Sequence, residues 1–383
     1  MSIEHPALRP SRIEINLDAY AENLHHIRQH TGVPVMAIVK ANAYGHGLVP
    51  MAQQALASGA VQLGVAIAEE GLALRQAGIQ APILVLGGVL PTQLAACLHA
   101  QLEITVPSMT RLVEVLAAAE QLAKPCVVHL KIDTGMARIG VPAEHAADLI
   151  EAALASPWCH IKGIFSHLAC ADEPDSPMTG QQLERFLSAC HYFERIGAPM
   201  PLRHLANSGA VMNFPETWLD MVRPGIMSYG VLPGKDCRPA FVLQPVLALK
   251  SVVTHIKPIA ADTPVSYGAT WRSAQASHIA TIPLGYGDGW SRQLSSRGAV
   301  LIGGQRKTIA GRVCMDQFMV DVGSLPVALG DEVVLIGRQG GAAIDIEEVA
   351  ECANTIGYEL LTHMSARLPR VYFKNGQVIA VSQ

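Results

Sequence analysis

Charged and aromatic residues are scarce in this chain. Only 16% of its 383 residues are Asp, Glu, Lys or Arg, and only 5% are Phe, Trp or Tyr. The 28 basic and 32 acidic residues are spread evenly, so the formal net charge is −4 and no basic face or charge block stands out. Because binding to a phosphate backbone depends on clustered Lys and Arg, we expect no nucleic-acid partner.

The sequence also lacks an apolar run long enough to cross a bilayer. Its longest apolar runs, such as residues 81–91, fall well short of the ~20 residues that a transmembrane helix needs. The N-terminus, MSIEHPALRPSRIEI, has no apolar segment of an export signal. The eight cysteines include no C-x-x-C pair. We therefore expect a cytoplasmic protein with reduced thiols, no disulfide framework, no metal site and no membrane partner.

Half of the residues are hydrophobic, which suffices for large cores, and the length predicts two domains. Over residues 1–240, short apolar runs alternate with stretches of helical spacing, a pattern that predicts parallel βαβ units. We expect eight strands, at 33–40, 62–69, 81–88, 102–108, 126–133, 160–168, 202–208 and 221–230. Eight is the strand number of a closed (β/α)8, or TIM, barrel. The alternative, an open doubly wound sheet, requires a G-x-G-x-x-G turn after the first strand, and none is there.

From about residue 241 the pattern changes to short strands separated by Gly, Asp and Pro turns. We expect strands at 246–256, 276–283, 299–302, 307–313, 318–322 and 332–336, and a helix over 346–361. This pattern predicts a separate, mainly antiparallel β domain over residues 241–383.

Polar side chains with useful chemistry stand at the ends of the predicted barrel strands. The C-terminal ends of barrel strands meet at one face, where catalytic residues lie. The candidates at these ends are Lys40, Lys131, Asp133, His167, Asn207, Ser208, Arg223 and Gly225. Each one alone has a plain structural explanation, such as a solvated lysine or a buried histidine, so the prediction depends on the whole set.

The segments HLANSGA and RPGIMSYG follow the last two barrel strands, where this fold frequently binds phosphate. Asn207 and Ser208 offer short polar side chains, and the N–H groups of Gly225 and Ile226 can bind an anion. A phosphate site and Lys40 at the same end of one barrel suggest pyridoxal phosphate held on a Schiff base.

Nine segments, spread over nearly the whole chain, together resemble the alanine racemase family and occur in the family's order. They are VKANAYGHG, HLKIDTGMARIG, FSHLACADE, HLANSGAV, RPGIMSYG, VSYGATW, GYGDGW, GRVCMDQFMVDV and TIGYELLT. VKANAYGHG is highly specific by itself, whereas GYGDGW alone would be only a turn-rich loop.

The resemblance implies an isomerase that interconverts L-alanine and D-alanine with pyridoxal 5'-phosphate. Lys40 would carry the cofactor and act as one acid–base group, and Tyr267 would be the second. Because Tyr267 would come from the β domain of the partner subunit, the resemblance implies a homodimer with shared active sites. The product would serve peptidoglycan synthesis, or the enzyme would take part in alanine breakdown.

The resemblance also implies roles for the remaining candidates. Arg223 would hydrogen-bond the pyridine nitrogen of the cofactor and be oriented by His204, and His167 would pack beside the ring. Arg138 and the backbone of Met315 would hold the substrate carboxylate. Lys131 would be carbamylated and brace Arg138, and Asp316 would be a further supporting residue. The cofactor phosphate would be held by Tyr44, Ser208, Gly225, Ile226 and Tyr358, with Asn207 nearby.

Three of these roles have alternatives, and one of them is that Met315, with Cys314, is an ordinary core residue. Tyr267 could be a gate or packing residue, and Lys131 could form an ion pair with Asp133 or another carboxylate.

Two bases suit racemisation, because a proton must leave one face of the α-carbon and return to the other. Free tyrosine and lysine titrate near ~10 and ~10.4, so both need a lowered pKa to act near neutrality. Burial lowers the pKa of a lysine, and nearby cations lower both. We expect Arg138, Arg223 and a protonatable His167 to supply that positive field.

Three other functions compete with an alanine racemase. A decarboxylase of basic amino acids shares this architecture, but we would not expect it to carry VSYGATW or the full VKANAYGHG. A racemase with broader specificity stays open, with serine as a slower substrate. A non-catalytic cofactor carrier built on a lone barrel does not explain the 140-residue β domain.

Replacing Arg223 with Glu tests the role of this residue at the pyridine nitrogen. Because arginine accepts no hydrogen bond, it disfavours a protonated pyridine and weakens the cofactor as an electron sink. Arg223→Glu should therefore raise transamination, measured as pyruvate formed during turnover of alanine. An unchanged pyruvate yield would contradict this hypothesis.

Overall fold

The structure is a computed structural model that describes residues 9–382. Residues 1–8, which hold half of the N-terminal segment searched for an export signal, lie outside the described residues. The chain divides into two compact units. We call Tyr20–Gln244 the barrel unit, and residues 9–19 with residues 245–382 the β unit.

The strands are short and occur along the whole chain. In the first part they are β1 (Arg12–Asn16), β2 (Met36–Ile38), β3 (Gln62–Val65), β4 (Ile83–Val85), β5 (Glu103–Val106), β6 (Cys126–Asp133), β7 (Val141–Pro142), β8 (Cys159–Phe165) and β9 (Leu202–His204). The others are β10 (Leu247–Val252), β11 (His255–Ile259), β12 (Pro264–Val265), β13 (Trp271–Arg272), β14 (Ser277–Ile282), β15 (Ala299–Ile302), β16 (Gln305–Thr308), β17 (Phe318–Asp321), β18 (Glu332–Gln339), β19 (Ala342–Ile344), β20 (Arg370–Lys374) and β21 (Gln377–Ser382).

Helices follow most of the barrel strands. They are α1 (Leu17–Thr31), α2 (Lys40–Tyr44), α3 (Leu48–Ala57), α4 (Ala68–Gln76), α5 (Pro91–His99), α6 (Met109–Gln121), α7 (Ala146–Leu154), α8 (Met178–Arg195), α9 (Ser208–Asn213), α10 (Ile346–Cys352) and α11 (Gly357–His363). Within residues 9–382, no helix is both long enough and apolar enough to cross a membrane.

The barrel unit contains a parallel sheet in the order β2-β3-β4-β5-β6-β8-β9. The eighth position is filled by a short segment around Val222, which forms an isolated parallel bridge with Val35. The Arg223 N–H bonds to the Ala206 carbonyl at 2.9 Å, and the Met36 N–H bonds to the Val222 carbonyl at 2.9 Å. These bonds join the segment to both edges of the sheet, so the predicted (β/α)8 barrel is confirmed.

The last predicted barrel strand is shorter than expected. Instead of extending over 221–230, the chain leaves the sheet after the bridge and enters a short turn at Ile226–Tyr229. Pro224 has no N–H to donate to a strand ladder, which explains why pairing stops there.

The β unit is built mainly from antiparallel pairs, as expected. Its main sheet has the order β16-β15-β18-β10-β1-β20-β21, and a second sheet has the order β11-β14-β17. Strand β1 lies in the middle of the main sheet, antiparallel to β10 and parallel to β20.

The N-terminal strand therefore does not belong with the barrel, where a division at residues 240 and 241 would place it. The inward side chains of β1, Ile13 and Ile15, have no exposed surface. Their burial between two strands that lie more than 200 residues away in sequence gives the physical reason. The boundary between the units falls at Gln244 and Pro245 instead.

The helix predicted over 346–361 is two helices, α10 and α11. The break contains Asn354, whose φ of 54° lies in the left-handed region. Asparagine tolerates this conformation and commonly follows the end of a helix.

Candidate active site

Lys40 lies where strand β2 ends, at the start of a left-handed turn. The next four residues, Ala41, Asn42, Ala43 and Tyr44, have φ values of 54°, 54°, 53° and 51°. Each non-glycine residue in this conformation costs about 1–2 kcal/mol. A run of four is local backbone strain of the kind that persists where surrounding contacts over-determine it.

Hydrogen bonds hold this turn in place. The carboxylate of Glu70, on α4, accepts the Ala41 N–H at 2.6 Å and the Ala66 N–H at 2.8 Å. The Asn42 side chain accepts the Leu48 N–H at 2.7 Å. Glu70 thus ties the segments that follow β2 and β3 to each other, and it keeps the backbone of the Lys40 turn in its strained form.

Positive charge gathers around Lys40 within the barrel unit. Burial lowers the pKa of Lys40, and the charges of Arg138 and Arg223 lower it further, while Glu70 opposes them. Burial, together with Arg223 and Arg138, also lowers the pKa of Lys131 well below its usual value. A lowered pKa increases the share of neutral amine, which both Schiff-base chemistry and proton abstraction require.

Lys131 is buried on β6, with its ammonium nitrogen 4.6 Å from the centre of the Phe165 ring. Among the described residues it forms no ion pair. Asp133 instead accepts the backbone N–H groups of Gly135 at 2.9 Å and Ala137 at 3.1 Å. The structure therefore does not bear out the alternative that Lys131 is paired with Asp133.

His167 lies in the same positive field. Burial and the charges of Arg223, Lys131, Arg138 and Lys40 lower its pKa well below the usual value. It is therefore neutral near pH 7, and the expectation that a protonated His167 adds to the field is wrong. A second buried cation among these neighbours would be repelled by them.

Arg223 is buried, and its guanidinium is held by neutral groups. One of its nitrogens, Nη1, lies 3.1 Å from Nδ1 of His204 and also donates to the His204 carbonyl. The other, Nη2, donates to the carbonyls of Ser166 at 2.7 Å and Leu205 at 3.1 Å. In the part of the chain that the structure describes, no carboxylate forms an ion pair with Arg223. Burial lowers its pKa to about 9, so it is still protonated near neutrality.

A small cradle lies beside Arg223 in the sequence. Ser208 Oγ accepts the N–H groups of Gly225 at 2.8 Å and Met227 at 3.3 Å. A Cβ atom placed on Gly225 would lie only 2.3 Å from Tyr44 Oη. Only glycine therefore lets the backbone, the serine hydroxyl and the phenol meet at this point. Ile226 follows at once and begins a short turn.

Asn207 precedes this cradle as the N-cap of α9. Its side-chain oxygen accepts the Ala210 N–H at 3.0 Å, and its amide nitrogen donates to the Leu168 carbonyl at 3.3 Å. Both ends of the side chain are engaged within the protein, so Asn207 shapes the cradle rather than pointing a free group into it.

The other predicted site residues belong to the β unit. Tyr267 is 70% exposed, and it follows Ser266, whose hydroxyl donates to the Arg312 carbonyl at 2.7 Å. Gly268, the next residue, has a φ of 73°, and a Cβ there would lie 3.3 Å from the Arg312 guanidinium carbon. The phenol is thus presented on a tight, anchored turn.

Met315 is 54% exposed and lies in a neighbouring loop of the β unit. Its carbonyl accepts the Gly287 N–H at 2.9 Å, which fixes the backbone of the loop. Asp316 accepts a hydrogen bond from Arg367 at 2.7 Å. Tyr358 is half-buried in helix α11.

Comparison with known proteins bears on both units. The family model of the alanine racemase N-terminal domain matches residues 15–233, and the family model of the C-terminal domain matches residues 246–372. An alanine racemase of Desulforamulus reducens is 44% identical over 95% of this chain and 99% of its own length. The chain belongs to the alanine racemase family.

Solved structures of the family agree with this assignment. Alanine racemase from Bacillus anthracis, crystallised with bound L-Ala-P, has a TM-score of 0.92 and 37% identity, and the match covers 98% of each chain. Alanine racemase from the D-cycloserine producer Streptomyces lavendulae has a TM-score of 0.91 and 38% identity, and the match covers 96% of this chain and 98% of that one. The alternative fold, an open doubly wound sheet, is excluded.

The alanine racemase family depends on pyridoxal phosphate, and the barrel unit fits that group. The absence of a Cβ at Gly225 lets the Tyr44 hydroxyl approach the backbone of the cradle. The cations around Lys40 suit a dianionic phosphate and a carboxylate. Arg223, a buried donor that meets no carboxylate in the described part of the chain, suits a ring nitrogen that accepts a hydrogen bond.

Several residues that shape this site were missed by reasoning from the sequence. They are Glu70, Glu103, His129, Gly163 and Tyr229. Tyr229 packs on Tyr44, with ring centres 4.9 Å apart, and donates to the Ile38 carbonyl at 3.0 Å. His129 stands inside a motif that carried the resemblance, HLKIDTGMARIG, which was a usable signal. Tyr229 likewise stands inside RPGIMSYG, whereas Glu70, Glu103 and Gly163 act through contacts that no short pattern reveals.

Replacing Gly225 with Ala tests the cradle. The new methyl group would overlap Tyr44 Oη, so we expect the Kd for pyridoxal phosphate to rise at least about tenfold, which corresponds to about 1.4 kcal/mol. The measurement is a fluorescence titration of the apoenzyme with the cofactor. Gly88→Ala is the matched control, since a Cβ at Gly88 meets nothing within 4 Å. An unchanged Kd for Gly225→Ala would contradict the assignment of the cradle.

Proposed function

We propose that this chain interconverts L-alanine and D-alanine by a two-base mechanism in which Lys40 and Tyr267 are the proton-transfer groups. The observation that carries the proposal is the position of Lys40. Lys40 has a lowered pKa and lies among cationic side chains. It shares the C-terminal end of one barrel with the cradle at Ser208 and Gly225.

Tyr44, Ser208, Gly225, Ile226 and Tyr358 would hold the cofactor phosphate. His167 would pack beside the ring, and Arg223 would donate to the ring nitrogen. When bound, the cofactor supplies an electron sink for negative charge that develops at the α-carbon of the substrate. A neutral His167 would pack beside the ring without adding a positive charge to the site.

Lys40 would hold and release a proton at Nζ. Near neutrality it needs a substantial neutral fraction to act as a base, and burial and the charge of Arg138 provide this. The left-handed turn, braced by Glu70, keeps the backbone of Lys40 from drifting away from the reacting carbon. Proximity of this kind accounts for a large share of an enzyme's rate enhancement.

Arg138 and the backbone of Met315 would bind the substrate carboxylate. Arg138 is exposed, and among the described residues it forms no ion pair. Carbamylation of Lys131 requires its neutral amine, and the lowered pKa supports this modification. Carbon dioxide would add to the neutral amine with loss of a proton, and the resulting carbamate anion would brace Arg138. Asp316 supports the Met315 loop through its bond to Arg367.

Tyr267 would supply the second base from a partner subunit, in a homodimer with shared active sites. Its exposed phenol, on an anchored turn, supports a role outside its own unit. In this arrangement the barrel unit would bind the cofactor, and the β unit, which includes strand β1, would serve the partner.

The chain would work in the cytoplasm, which agrees with its eight free cysteines. It would provide D-alanine for peptidoglycan or take part in alanine breakdown. A decarboxylase of the same architecture is not favoured by the comparisons. A racemase with broader specificity than alanine stays within the same mechanism.

Proton exchange in D₂O tests the reaction. With L-alanine and the holoenzyme, we expect the α-proton NMR signal to disappear while chiral analysis shows D-alanine accumulating. Carbon dioxide released from a basic amino acid, with no exchange of alanine, would instead identify a decarboxylase.

The same measurement on the Tyr267→Phe variant tests the role of the second base. We expect inversion to slow by about 10²–10⁴-fold, while exchange at the face served by Lys40 continues. Tyr192→Phe, which removes a half-buried phenol on α8 that bonds to Glu151, is the matched control and should behave as the wild type. Inversion at the wild-type rate in Tyr267→Phe would refute the role of Tyr267.

Complementation between two inactive variants tests the shared site. Lys40→Ala and Tyr267→Phe, co-expressed with different tags and purified through both, form a heterodimer in which one of two shared sites retains both native residues. We expect about half of the wild-type activity per dimer.

The control for this experiment pairs Lys40→Ala with the Lys40→Ala/Tyr267→Phe double variant, which leaves no native site. If each chain used its own Tyr267, the first heterodimer would be no more active than its parents.

A further inference from the structure

A line of hydrogen-bonded polar side chains runs through the barrel unit, starting from Arg223. The Nδ1 atom of His204 faces Arg223 Nη1 at 3.1 Å. The other ring nitrogen of His204, Nε2, lies 2.8 Å from Nδ1 of His129. His129 Nε2 in turn lies 2.8 Å from Oε2 of Glu103. All four side chains are buried. We call Glu103, His129, His204 and Arg223 the relay.

The carboxylate at the far end of the relay is firmly held. Gln62 Nε2 donates to Glu103 Oε2 at 2.7 Å, and the ammonium of Lys162 donates to Oε1. Burial acts to raise the pKa of Glu103, but hydrogen bonds from His129 and Lys162 hold that pKa below its usual value. Glu103 is therefore an anion at neutral pH.

Both ends of the relay independently determine where its protons lie. Arginine can only donate, so His204 Nδ1 must accept, and the proton of neutral His204 sits on Nε2. An ionised carboxylate can only accept, so the proton of His129 sits on Nε2 as well. These two deductions agree at the contact between the histidines, where His204 Nε2–H donates to His129 Nδ1. A neutral state of both rings agrees with their lowered pKa values, which burial causes first.

Strand β8 leaves room for this contact. Gly163 lies on β8, which separates β6 from β9 in the sheet. A Cβ atom on Gly163 would lie 2.3 Å from His129 Nδ1 and 3.0 Å from His204 Nε2. Only glycine therefore allows the two histidines to bond across this strand.

We propose that Glu103 is a positioning residue for Arg223 and acts on it through His129 and His204. The proposal rests on the proposed function to the extent that Arg223 faces the ring nitrogen of the cofactor. The carboxylate holds both histidines in the Nε2–H tautomer, so His204 presents a lone pair to the guanidinium. It also supplies the negative end of a chain whose positive end is a buried arginine.

The consequence of losing Glu103 follows from the same assignment of hydrogen-bond donors and acceptors along the relay. Without a strong acceptor at Nε2, His129 can move its proton to Nδ1, and His204 must then move its own proton to Nδ1. That proton would face an Arg223 N–H, and two donors repel each other. The guanidinium would shift away from the position in which it meets the cofactor.

The first test uses wild-type apoenzyme, with no cofactor or substrate. Long-range ¹H–¹⁵N NMR distinguishes the two tautomers of a neutral histidine. We expect both His129 and His204 to carry their protons on Nε2. A proton on Nδ1 of His204 would overturn the proposal without recourse to any variant.

The second test compares two near-isosteric substitutions, Glu103→Gln and Asp220→Asn. The amide in Glu103→Gln offers one oxygen to donors from Gln62, His129 and Lys162, so the relay loses its anion. Asp220→Asn removes a carboxylate that pairs with Arg203 next to His204 but is not part of the relay. We expect Nδ1–H signal from His204 only in Glu103→Gln. We also expect kcat to fall roughly tenfold with little change in KM, in line with the effect of outer-shell hydrogen-bond partners.

A third comparison changes the space between the histidines rather than the charge. Gly163→Ala should break the His129–His204 bond and reproduce the tautomer change and the lower kcat. Gly180→Ala, where a Cβ meets nothing within 4 Å, is the matched control. If Gly163→Ala does not fold, the wild-type tautomers and Glu103→Gln still decide the question.

Wild-type tautomers and wild-type kcat in Glu103→Gln would overturn the proposal. The tautomers are read without substrate, so this result is separable from the outcome for the proposed function. If alanine is not racemised but the tautomers are as expected, the proposed function fails and the relay still stands as a feature of the barrel.

Discussion

The buried guanidinium of Arg223 is the charge on which the chemistry of the barrel unit depends. Removing an ion from water costs several kcal/mol even after the protein relaxes, and no carboxylate in the described residues touches this one. Backbone carbonyls and His204 stabilise it directly, and Glu103 does so at a distance. Its charge in turn lowers the pKa of Lys40, Lys131 and His167. Burial lowers these three pKa values most and the charge of Arg223 acts in the same direction, so the neutral forms of His167 and of the two lysines are favoured.

The turn after Lys40 is a second constraint, and it is local. Four successive left-handed residues are costly in isolation, and hydrogen bonds to the Glu70 carboxylate and within the turn offset that cost. Glu70 also raises the pKa of Lys40 through its charge, against the effect of the surrounding cations. The same carboxylate therefore positions the lysine backbone and moderates how far its pKa falls.

The alternation of apolar runs and helical stretches was enough to predict the barrel, because each parallel strand must be followed by a crossover helix. It could not assign β1, since a single short strand carries no information about its partners. Strands β20 and β21 were not predicted, for a similar reason. The turn at Asn354 was not predicted either, because the residues on both sides of it have helical spacing. In each case long-range pairing or a single backbone conformation decided the outcome.

Nine motifs that occur in order along the chain identify the family, and with it the cofactor and the residues to consider. The ionisation states and the directions of the hydrogen bonds follow instead from the fold. His167 is neutral because the fold packs it among cations that are distant in sequence. Glu103 connects to Arg223 only because strands β5, β6, β8 and β9 are neighbours in the sheet and Gly163, on β8, leaves room for the two histidines. Burial and proximity in the fold set the pKa values and the tautomers. A single sequence segment shows neither how deeply its residues are buried nor which residues surround them.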